Sequence, residues 1–79
     1  MALDLTDEER AWLAAFASGR SVTVVARDAL LSERAMFRRL DAIYARLGVP
    51  GRCGAVALAA HEGVIRPGVD GQWEAVPSG

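Results

Sequence analysis

Lysine is absent from the chain, and every one of its nine basic side chains is an arginine. Arginine has the planar fork that suits phosphate and guanine, but coding bias yields an all-arginine set as readily, so this absence decides nothing. Other scarcities exclude more. The single cysteine, Cys53, rules out an internal disulfide framework and suits a reducing, intracellular setting. One cysteine with one histidine, His61, leaves too few ligands for a zinc site within one chain, and neither metal nor cofactor is expected. The apolar run Ala55 to Ala60 is far too short to span a bilayer. The opening MALDLTDEER is acidic and lacks the basic-then-apolar order of a secretion signal, so a cytoplasmic location without a membrane partner is expected.

What is present points to one small helical domain. Seventy-nine residues, 52 % of them hydrophobic, hold a single core and exceed the hydrophobicity of disordered chains. The net charge of −1 is unfavourable for nucleic acid, but it is unevenly spread. Between Arg20 and Arg52, seven arginines face three acids, a net of +4, whereas the flanks together carry −5. A basic middle between acidic ends can still present a local positive patch.

Thr6-Asp7-Glu8-Glu9 forms a capping box, with acids suited to the positive end of the helix dipole. A first helix over 7–18 follows, with Leu13, Phe16 and Ala17 on one side, Trp12 beside them and Gly19 as its stop. Ser21 can cap a short helix over 21–29. Its valines, Val22, Val24 and Val25, are poor helix formers, so tertiary packing must hold it. A strand is the other reading of VTVV, but no partner strand is evident. Ser32 caps a third helix over 32–47, in which Met36, Leu40, Ile43 and Leu47 form a buried stripe; Gly48 and Pro50 end it. A fourth helix over 52–62 is built on AVALAA. The remainder, rich in proline and glycine, reads as an irregular tail over 66–79 that Trp73 could pin to the core. The domain proper is thus expected over 1–65, and no internal repeat is visible.

These residues resemble the LuxR/GerE-type helix-turn-helix without a gap. The opening Leu5, Thr6, Glu9, Leu13, Ala17, Gly19 and Ser21 follows that family's pattern, as do Val25-Ala26 and the turn Leu31-Ser32. The closing Ile43, Arg46, Leu47, Val49, Arg52 and Ala55 follows it too, so the similarity covers about residues 5–65. The four-helix part of RNA-polymerase sigma factors has a similar opening. The resemblance implies an all-α, compact four-helix domain whose third helix enters DNA. The departures fall where DNA contacts are expected. A common phosphate-binding lysine is Thr23, and the Thr-Val-Lys-x-His of the recognition helix is Ala35-Met36-Phe37-Arg38-Arg39.

At about 100° per residue, the helix face opposite Met36 carries Arg34, Arg38, Asp41 and Ala45, with Arg39 and Arg46 along one flank and Phe37 and Tyr44 along the other. Arg34 and Arg38 are candidates for base edges or phosphate, and Arg39 and Arg46 for phosphate, with Thr23 at the lysine's place. An ordinary solvated helix surface is the bland alternative. Phe37 could touch a thymine methyl, anchor a protein partner, or tuck against the second helix and Tyr44. Asp41 opposes phosphate unless it pairs with Arg38 or accepts from cytosine. The resemblance implies a structural role for Arg52, tying the loop to a helix end, while His61 and Cys53 read as surface or incidental residues. Val56, Ala57 and Ala60 of the fourth helix are the candidate homodimer contact, since the resemblance implies dimerisation there. No catalytic constellation is visible, and an enzyme is not expected.

Two functions follow as expectations. The first is a transcriptional regulator, or the output domain of one, that binds double-stranded DNA as a dimer. The second is a degenerate helix-turn-helix that binds another regulator, with Val22, Val24 and Phe37 as its contact.

Overall fold

Hydroxyl side chains start three of the four helices. In the computed structural model, which describes residues 3–77, α1 spans Asp7–Ala17, α2 Val22–Asp28, α3 Glu33–Leu47 and α4 Arg52–His61. Thr6 accepts from the Glu9 N–H while Glu9 returns a bond to the Thr6 N–H, a closed capping box. Ser21 and Ser32 accept from Val24 N–H and Ala35 N–H in the same manner. Each such cap is worth about 1 kcal/mol. The ends differ from the sequence reading by a single residue, because the half-helical caps lie outside the hydrogen-bonded spans. VTVV is helical, as expected: Val25 and Ala26 are buried, so packing compensates for the poor propensity of three valines.

The core lies where the helices converge. Met36, Leu40 and Ile43 of α3 are fully buried with Leu13 of α1 and Ala55 and Ala59 of α4, and Leu47 is partly covered. Burying a side chain of the Leu, Ile or Met class is worth about 1.5–3 kcal/mol, so this stripe fixes which face of α3 is left for solvent. Gly48 closes α3 at φ 71°, a left-handed conformation that its missing Cβ makes inexpensive.

The segment expected to be an irregular tail instead folds back as a β-hairpin. Strand β1, Ile65–Pro67, pairs antiparallel with β2, Trp73–Ala75, in the register Ile65 to Ala75, Arg66 to Glu74 and Pro67 to Trp73. A 3₁₀ turn over Val69–Gly71 joins them. Val64 and Ile65 are buried in the same core, so the hairpin belongs to the domain. Two strands of three residues leave no alternation long enough to see in a sequence dense in proline and glycine, and such a hairpin is not stable alone.

Helix α1 supplies what it lacks. Ser18 Oγ accepts from Trp73 N–H at 2.8 Å and donates to Ala14 O at 2.8 Å. Arg10, buried at 5 % exposure, donates from Nη1 to Val76 O at 3.0 Å, from Nε to Leu5 O at 3.3 Å and from Nη2 to Leu3 O at 3.4 Å. One guanidinium thus ties the segments before α1 and after β2 through backbone carbonyls.

Candidate nucleic-acid interface

The turn between α2 and α3 sets the exposure of everything after it. Leu31 N–H donates to Ala26 O at 2.9 Å and Leu30 N–H to Arg27 O at 3.1 Å, the paired bonds of a Schellman closure. The left-handed position in that closure is held by Leu30, at φ 60° and 92 % exposure, where glycine or asparagine would ordinarily sit. The chain then turns at once into the Ser32 cap and α3. Thr23 Oγ1 donates to Glu33 Oε2 at 2.9 Å, linking the first turns of α2 and α3.

Because Met36, Leu40 and Ile43 face inward, Arg34, Arg38, Arg39, Asp41 and Ala45 all face solvent, as their helical positions require. No hydrogen bond or ion pair engages Arg34, Arg38 or Arg39 among the described residues. Arg27, in the last turn of α2, is exposed and unengaged as well. Phe37 is half-exposed and lies outside the core cluster, whereas Tyr44 packs against that cluster. Partial burial pushes the Tyr44 phenol above its ordinary range, with Asp41 and Cys53 adding to the shift and Arg52 opposing it.

Arg46 stands apart from the other arginines of α3. Its guanidinium pairs with Glu9 Oε2 and also donates to Asp4 O at 3.4 Å, so it ties α3 to the start of α1. Partial burial alone would raise the Glu9 carboxyl, but the Thr6 N–H, the Arg46 guanidinium and the Thr6 hydroxyl outweigh it and hold Glu9 below the ordinary carboxylate value. Thr23 is likewise exposed but already committed to Glu33. Arg52 lies over the Phe16 ring, 5.2 Å from its centroid, so its guanidinium stacks on α1.

The remaining candidates are spread over two surfaces. Val22 and Val24 are half-buried and Val22 packs on the core, so Phe37 is the most exposed of the three. On α4, Val56 and Ala60 are half-buried against the domain's own core, and Ala57 faces solvent between Cys53 and His61. Two features escaped the sequence reading. Leu30 carried no signal beyond its place in the turn, and Arg10 none at all, since it sits among exposed acids on a helix surface.

Among the described residues no helix is long and apolar enough to cross a membrane, and no three His, Cys, Asp or Glu side chains cluster as a metal site. Compared with known protein families, curated proteins and solved structures, the chain matches none.

Proposed function

We propose that the chain is a LuxR/GerE-like helix-turn-helix domain that binds double-stranded DNA through α3, as a transcriptional regulator or the output domain of one. The observation that carries this reading is the row of three exposed, unengaged arginines, Arg34, Arg38 and Arg39, on the helix that follows a capped two-helix turn. Arg34 and Arg38 lie on the outermost face and contact base edges or phosphate; Arg39 contacts phosphate from the flank, with Arg27 as a further basic group beside the turn. Arg46 is assigned to the Glu9 tie and Thr23 to the Glu33 link, which reduces the DNA contacts below the number read from sequence. Homodimerisation would use the exposed side of α4 around Ala57.

Affinity for a mixed-sequence duplex tests this reading when measured by fluorescence anisotropy between about 50 and 200 mM salt. Each neutralised phosphate contributes about −0.9 to the slope of log K against log salt. Wild-type protein should give a slope near −3, and the double variant Arg34→Ala, Arg38→Ala a slope shallower by one to two such steps. Equal slopes would remove both residues from the interface.

One observation favours the second reading, a helix-turn-helix that binds another regulator. Leu30 and Phe37 remain exposed at and just beyond the turn, apolar surface that base contact alone does not require.

A further inference from the structure

A cleft of about 350 Å³ opens between α1 and α2, lined by none of the residues that the DNA reading uses for contact. Its α1 wall is Glu8, Ala11, Trp12 and Ala15, spaced i, i+3, i+4 and i+7, which is one helical stripe. Its α2 wall is Val25, Asp28 and Ala29, and Arg20 of the connecting loop completes it. Three alanines on the facing walls leave the gap that larger side chains would fill, and Trp12 and Val25 give it an apolar floor. The size matches the lower range of small-ligand sites.

Charge is distributed along this cleft with a direction. Glu8 is in the first turn of α1 and Asp28 is the last residue of α2, so both lie at the helix ends remote from the α1–α2 connection. Arg20 lies in that connection, at the opposite end. No ion pair joins Arg20 to either carboxylate; its Nη1 donates only to the neutral Gln72 Oε1, at 3.4 Å. Neither Glu8 nor Asp28 is hydrogen-bonded through its side chain among the described residues. The cleft thus holds an uncompensated acidic end, an apolar middle and a basic end. From Glu8 to Ala15 the helix rises about 10 Å at 1.5 Å per residue.

We propose that this cleft binds a short apolar peptide with free termini, its ammonium between Glu8 and Asp28 and its carboxylate at Arg20. An extended chain advances about 3.3–3.6 Å per residue, so three residues span the Glu8–Ala15 stretch of the cleft wall. An α-amino acid does not, because its two charges are adjacent. A plain fatty amine or acid satisfies one end and leaves the other unmatched.

The test uses the full chain and alanyl-leucyl-alanine as probe, followed by ¹H–¹⁵N NMR spectra, in which dispersion also reports folding of every variant. The free tripeptide should shift the Trp12 indole N–H and the amides of Ala11, Ala15 and Ala29 saturably, with millimolar or tighter affinity. N-acetylation of the probe should weaken binding about two- to fivefold, the scale of one partly exposed ion pair, and C-amidation similarly. In the variant Glu8→Gln, Asp28→Asn, acetylation should no longer matter, and in Arg20→Gln amidation should no longer matter. Absence of saturable shifts, or equal binding of the blocked and free peptides, would overturn the proposal. Shifts centred on α3 or α4 would do the same.

Discussion

Replacing Leu30 with glycine should stabilise the domain, although it removes a large hydrophobic side chain. Leu30 is 92 % exposed, so its deletion forfeits almost no burial. Its backbone is left-handed at φ 60°, which costs an L-residue roughly 1–2 kcal/mol relative to its preferred regions. Glycine adopts this conformation freely but raises the entropy of the unfolded chain by an amount worth about 0.5–1 kcal/mol. The net expectation is a gain of about 0.5–1 kcal/mol, or a Tm higher by about 2–8 °C in a domain of this size. The two Schellman bonds at Leu30 and Leu31 should persist, because they involve only backbone. Thermal and urea unfolding followed by circular dichroism would measure both quantities. Leu30→Ala is the control: it keeps the Cβ and therefore the strain, and should stay within about 0.5 kcal/mol of wild type. If alanine stabilises as much as glycine, exposed apolar surface rather than backbone strain is the cause. If glycine destabilises, Leu30 is not at a strained, unpacked turn.

Other perturbations follow from named contacts. Arg10→Met keeps the bulk but leaves the carbonyls of Leu5 and Val76 without the Arg10 donor and that of Leu3 with the Leu5 N–H alone, and should cost about 3 kcal/mol; amide exchange should quicken first in β1 and β2. Ser32→Ala removes the cap of α3 and should cost about 1 kcal/mol, measured by urea unfolding. Glu9 is held below its ordinary carboxylate value, so its share of stability is present above the unfolded-state value and is lost as pH falls through the folded one. Glu9→Gln should therefore flatten the acid limb of a stability-against-pH curve and leave its shape unchanged near neutrality.

How far the sequence was legible depended on the length over which a pattern could repeat. The third helix has fifteen residues, with a four-membered stripe, a serine cap and a glycine stop all in agreement, and it folds as those signals require. The second has only seven residues, three of them valines; only the want of a partner strand decided for helix. The hairpin failed this test from the other side. Its strands are too short to alternate, its prolines and glycines read as punctuation, and its stability comes from Arg10 on α1 and Ser18 just after it, at least 50 residues away in the chain. The exposed arginines of α3 were legible because helical periodicity assigns them a face. The diversion of Arg46 to Glu9 was not, since that pair spans 37 positions. The turn before the Ser32 cap was legible, but its left-handed residue, Leu30, was not, because nothing in a leucine announces φ above zero.

The most direct test of the central claim is selection from a random-sequence duplex pool by the purified protein at near-physiological salt, with the retained DNA sequenced. The expected result is enrichment of a defined motif, arranged as an inverted or direct repeat, that disappears when Arg34 and Arg38 are both alanine. Retention without enrichment, vanishing at moderate salt and equal in the double variant, would contradict it and assign Leu30 of the turn and Phe37 of α3 to a protein partner.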